Sequence, residues 1–413
     1  MRKTLAVSLL TLATLPYQSF EANADDSFRL TGYARYGMGY TDSTKLQNGS
    51  IMNGINVIKS AGSKYALTGH LANQGMGHEL GFEKSWSAND SNWRALFMAT
   101  DNYNAGPWKT AQMWAGGTNV IKSNPSAHVW AGQRYAQRVQ MLLNNYKPLL
   151  NDGVGGGVQN FDLGFGKASI EAISGMRNND SNGRYALLSS IKDIRIADKQ
   201  TLDFYANYGF GDGRNDDRPW GSGVVNNDDA YQLAATYNLN RKGSFTKFVV
   251  RYGDGVKENL VQHAGPAEDG GSLGAFLYGH EKITDKFAMM YAFSYENSDL
   301  ATNDGAKAGK AREKWYQGVL RGGYYYNKHH STWLETAYDT IDVHDENNGA
   351  NGTNSSWKVT LSQNVSLSDF LFSRPIVHFY VSYGGLDTEI VRNGARKGVK
   401  EAVSVGAYFE VFM

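Results

Sequence analysis

Rings and charges alternate along two segments of the chain in a way that could grip a hydroxylated solute. Between Phe28 and Tyr40, Tyr33 and Arg35 share a face with Arg29, Thr31 and Gly37. Phe28, Leu30, Ala34, Tyr36, Met38 and Tyr40 occupy the other. Late in the chain, Arg374, His378 and Tyr380 fall on one face, and the last strand adds Phe412 to the same side. A flat ring suits the apolar face of a pyranose, and nearby ionic donors and acceptors suit its hydroxyls. The same rings would also serve to fill space or to form an interfacial girdle. Alternation alone leaves these readings open.

Other motifs carry little chemistry. Gly153–Gln159 (GVGGGVQ) looks like a phosphate-cradling loop but lacks a strand–helix context, so it reads as a flexible turn. His329-His330 sits in the polar stretch NKHH and reads as a solvated turn rather than a metal site. No Ser/His/Asp set or carboxylate pair stands out by spacing, so neither an enzyme nor a cofactor is indicated. Cysteine is absent, which removes disulfides and thiolate chemistry. Lys plus Arg total 41 against 40 for Asp plus Glu, a balance that implies no nucleic-acid partner.

The elements that would position these residues have period two. Glu401–Met413 sets Val403, Val405, Ala407, Phe409, Val411 and Met413 against Ser404, Gly406, Tyr408, Glu410 and Phe412. Leu202–Phe210 repeats the pattern, and Phe287–Tyr295 and Pro375–Tyr383 follow it less cleanly. This is the dyad of a strand between lipid and water. The clusters Gly211–Asp217 and Glu346–Ser356 read as turns and loops. With 7 prolines and 25 tyrosines the composition favours long strands, and a mean hydropathy of −0.47 excludes a helical membrane protein. Residues 1–24 read as a signal peptide: Arg2-Lys3, an apolar run from Leu5 to Leu15, and the small-x-small site Ala22-Asn23-Ala24. Residues 25–413 then form one domain, an all-β transmembrane antiparallel barrel. At about 9–11 residues per spanning strand the chain has room for roughly 16 to 18. A secreted β-sandwich or β-helix is the soluble alternative, and the lack of a fixed-period repeat weighs against a solenoid.

Several blocks resemble the maltoporin family of sugar-specific porins. They are TGYARYGMGYT (Thr31–Thr41), VWAGQRYAQR (Val129–Arg138), NFDLGFGK (Asn160–Lys167), KFVVRY (Lys247–Tyr252) and FSRP (Phe372–Pro375), in family order along nearly the whole chain. The resemblance implies an 18-stranded homotrimeric barrel with an inward-folded third loop and an aromatic slide flanked by polar tracks. Tyr33, Phe372 and Phe412 stand at slide positions; Tyr231 is a further candidate. Tyr103 or Trp108 stands where a neighbouring protomer lends a ring. Arg35, Glu79 and Arg138 match the polar tracks, whereas family arginines fall at Ala66 and near Ala111, and a slide tyrosine falls at Gly77.

The constriction departs from the family. In Arg138–Gly153, family carboxylates align with Gln140 and Asn145, and its tyrosine aligns with Lys147 beside Tyr146. Two negative charges are lost and one positive charge is gained. The expected function is passive passage of oligosaccharides through the outer membrane, with surrounding lipid as the other partner. A general diffusion porin is the alternative.

Overall fold

The computed structural model describes residues 27–42, 60–61, 66–73, 75–101, 107–177, 180–211, 229–261, 270–299, 311–345, 350–368, 372–390 and 398–413. The signal segment Met1–Ala24 and Tyr103 lie outside the described residues.

Among the described residues, eighteen strands form one closed antiparallel sheet. They begin with β1 (Phe28–Thr41), β2 (Gly77–Ala88), β3 (Ser91–Thr100), β4 (Lys109–Thr118), β5 (His128–Val139) and β6 (Leu149–Asp162). Next come β7 (Lys167–Arg177), β8 (Asp180–Ala197), β9 (Gln200–Gly211), β10 (Ala230–Arg241), β11 (Ser244–Asp254) and β12 (Gly271–Lys282). The last are β13 (Phe287–Ser298), β14 (Ala311–Tyr325), β15 (His330–Asp345), β16 (Ala350–Ser366), β17 (Ile376–Thr388) and β18 (Gly398–Phe412). Each strand pairs with its sequence neighbours, and β1 pairs with β18 to close the ring. Closure removes the unpaired edge that lipid could not solvate.

Alternation sets the two faces. In β17, Val377, Phe379, Val381 and Tyr383 point outward, while His378, Tyr380 and Ser382 are buried inside. β1 and β18 divide in the same way, with Tyr36, Met38, Tyr40, Val403, Val405 and Phe409 on the outer wall. Short turns such as Asn89-Asp90 and Lys242-Gly243 gather at one end and the long connections at the other. In outer-membrane barrels the short turns are periplasmic.

The interior is partly filled by three inward segments of the long-loop end. Residues 60–61, 66–73 and 75–76, between β1 and β2, lie against β14–β18. Leu71 N–H donates to Glu335 (2.9 Å), Lys358 Nζ donates to the Leu71 carbonyl (2.6 Å), and Ser60 Oγ donates to Asp339 (2.6 Å). Residues 140–148, between β5 and β6, cross to the opposite wall. Residues 255–261, after β11, contact the base of β6 through Leu150 N–H to Glu258 O (2.9 Å). Only the second of these segments was expected from the sequence.

Two expectations about loops need correction. Gly153–Gln159 is not a flexible turn but the middle of β6. A Cβ on Gly155 would collide with the carbonyl oxygen of Ala172, so the glycines permit close strand approach. Ala350–Ser356 is likewise strand, paired with β15. Its polar composition fits a strand that rises beyond the bilayer's apolar band, where alternation no longer has to serve lipid.

Candidate lumen site

Tyr33 and Phe412 are directly opposite each other across the β1–β18 seam. Alternation turns both inward, and their rings meet at 5.2 Å between centroids. Both remain half-buried, so a ring surface is left open to the lumen. Arg374, in the turn before β17, lies 5.6 Å above the Phe412 ring and donates to Glu410 at 2.5 Å. Two rings thus stand beside Arg374, which the buried Glu410 holds in place at the turn end of the channel. Sequence reasoning placed Arg374 inward but passed over Glu410, although it shares a face with Phe412 in β18.

Arg35 sits next to this platform but is committed elsewhere. Its Nε donates to the Gly75 carbonyl at 3.0 Å and its Nη1 donates to Tyr33 Oη at 3.3 Å. It is buried and fastens the end of the first inward segment, so its part is to orient the Tyr33 hydroxyl rather than to offer an open guanidinium.

A second polar group lies on β2, β5 and β6. The Arg138 guanidinium stacks 3.5 Å from the Tyr135 ring centroid and pairs with Asp152. Tyr135 Oη donates to Glu79 Oε1 at 3.4 Å. Lys147 is half-buried nearby, with its Nζ 3.5 Å from the Asn145 carbonyl. Burial first, and Arg138 second, lower the Lys147 ammonium from the ordinary lysine value to about 8; Asp152, Glu79 and Glu258 act in the opposite sense. Glu79 and Lys147 therefore bring an acceptor and a donor to one region of the constriction.

Asn145 and Tyr146 shape that constriction from within. Asn145 adopts a positive φ of 60°, accepts from Gln140 Nε2 at 2.7 Å, and so closes the loop, together with Met141 N–H to Tyr146 O (2.8 Å). Tyr146 is 1% exposed, packed between Phe276 (5.3 Å) and Trp315 (4.9 Å), and donates to Glu296 at 2.8 Å. No face of its ring is left for a solute, which corrects its expected role as a contact residue.

The remaining candidates separate. Tyr231 is 49% exposed and meets Tyr208 (5.3 Å) on the outer wall, whereas its neighbour Gln232 is buried inside. It therefore belongs to the outer aromatic surface, not to the lumen; period two decides the matter. Phe372 is buried in the β16–β17 turn against His280 (5.3 Å) and Phe245 (6.4 Å), so it fills space at the turn end and offers little ring surface. Trp108 is 55% exposed beside His78 at 4.2 Å, on the outer side of the barrel. Other inward rings, including Trp315, Trp333, Tyr380 and Tyr408, are also buried, Trp315 against Tyr146 and Tyr408 against Ala72 of the inward segments. Their number in the sequence thus overstated how many reach the channel.

A closed barrel with an apolar outer wall, a polar interior and inward loops defines an outer-membrane porin. The sequence matches the family model of the LamB porins over residues 28–412, and the chain belongs to that family. Among solved structures it is similar to the outer membrane channel DcaP of Acinetobacter baumannii, at 12% identity and a TM-score of 0.51, over 95% of this chain and 99% of that one. It is also similar to OpdL of Pseudomonas aeruginosa, at 10% identity and a TM-score of 0.51, over 94% and 99%. These likenesses concern the fold.

Proposed function

We propose that the channel is sugar-selective, passing oligosaccharides passively along a short train of weak sites. Passage requires binding favourable enough to enter and weak enough to leave. The observation that carries this reading is the Tyr33–Phe412 ring pair, open to the lumen and flanked by the Arg374–Glu410 ion pair. A pyranose can lay its apolar face on the rings while its rim hydroxyls meet Arg374, which Glu410 orients from behind. Across β1–β2 from Tyr33, Glu79 and the nearby Lys147 offer acceptor and donor, a combination suited to hydroxyls. In a homotrimer, the exposed Trp108 ring would be available to a neighbouring channel.

The test is single-channel conductance of the reconstituted protein, titrated with a panel of oligosaccharides. Saturable blockage by at least one class supports sugar selectivity. Absence of blockage across the panel makes the protein a general diffusion porin whose inward rings are structural.

A further inference from the structure

Two inward segments are fastened to one buried carboxylate. Glu296, on β13, accepts from Tyr146 Oη at 2.8 Å, and Tyr146 belongs to the segment 140–148. Lys257, on the segment 255–261, places its Nζ 3.4 Å from the other oxygen of Glu296 and 3.1 Å from Glu313. Arg251, on β11, pairs with Glu296 and also donates to the Pro148 carbonyl at 2.9 Å. The Arg251 side chain is fully buried and Glu296 is nearly so. Neither faces the channel.

We propose that Glu296 and Arg251 are positioning residues that set the aperture, and hence the largest solute admitted, without touching any solute. The first inward segment is drawn in as well: Leu67 N–H donates to the Asn144 carbonyl at 2.8 Å, and Asn144 Nδ2 donates to Gln317 at 2.5 Å. The second and third segments therefore share the β11–β14 wall, and the first, held mainly by β15–β18, is linked to them through Asn144. If Glu296 loses its charge, Lys257 keeps Glu313, but the fully buried Arg251 loses the carboxylate it is paired with and keeps only the nearby Glu258; breaking a buried pair from one side is costly enough to drive rearrangement. The parts free to move are the segments, because β11–β14 are held by unbroken backbone ladders.

The measurement is conductance in planar bilayers, with the exclusion cutoff for neutral poly(ethylene glycol), of full-length Glu296→Gln, Lys257→Met and Tyr146→Phe. Glu296→Gln should raise conductance and shift the cutoff to larger polymers, beyond either of the other two. A folded Glu296→Gln channel with wild-type conductance and cutoff overturns the proposal. If that variant does not fold, the Lys257→Met/Tyr146→Phe double variant stands in for it. It should then shift the cutoff by more than the sum of the singles, and a wild-type cutoff overturns the proposal equally. Polymer exclusion requires no sugar affinity, so the outcome is independent of the sugar-selective reading.

Discussion

Removing the Phe412 ring isolates the platform from the barrel that carries it. Phe412→Ala deletes one of two rings that lie 5.2 Å apart, leaving Tyr33 with its hydroxyl held by Arg35. The β1–β18 ladder is made by backbone groups and is untouched, so the barrel stays closed. Arg374 loses the ring beneath it but keeps Glu410 at 2.5 Å, so the ionic partners stay close to their places. The loss is then one stacking surface, worth about 1 kcal/mol. At about 1.4 kcal/mol per decade, this is a roughly fivefold weaker affinity. Phe412→Tyr, which keeps a ring, should stay near the wild type. The assay is the sugar concentration that half-blocks conductance, measured on channels with unchanged conductance in sugar-free buffer. An unchanged half-blocking concentration for every sugar that blocks the wild type would refute the platform.

Three further outcomes are expected. Lys147 should lose its charge as pH rises through about 8, so the reversal potential in a dilute salt gradient should drift toward cation selectivity between pH 7 and 9. Lys147→Met should abolish the drift, and Lys147→Glu should fix selectivity on the cation side; the effect should fade near 1 M salt, where the Debye length is about 3 Å. Tyr231→Ala should leave sugar blockage unchanged, because the ring lies on the outer wall; a weakened blockage would place it in the lumen after all. Gly155→Val should prevent assembly of folded barrels, assessed by heat-modifiable mobility, because the added side chain enters the backbone of β7.

Much of the barrel was legible because lipid imposes a rule on every spanning strand. Phe409 must face hydrocarbon and Glu410 must not, so period two shows in the letters themselves. The rule lapses where lipid ends. Ala350–Ser356 is strand above the apolar band and reads like a loop, and the glycines of β6 answer to neighbouring backbones rather than to solvent. Tyr231 shows the reverse error: a residue assigned by likeness to a family position is overruled by its own strand, whose parity sends Gln232 inward and Tyr231 out.

The site was legible only in its simplest part. Tyr33 and Phe412 are placed by parity alone, and parity survives folding. The constriction depends on where loops travel, which no local pattern encodes. Tyr146 and Lys147 are adjacent, yet one is sealed between Phe276 and Trp315 while the other stays half-buried near Glu79. What separates them is Glu296, 150 residues away in sequence, which accepts the tyrosine's hydroxyl and turns its ring into the wall. The charge at position 147 is fixed because the residue beside it is the anchor: a loop pinned through Tyr146 holds Lys147 near Arg138, Asp152 and Glu79. A loop without that anchor would let the same lysine withdraw into bulk water, where it would exert little control over what passes.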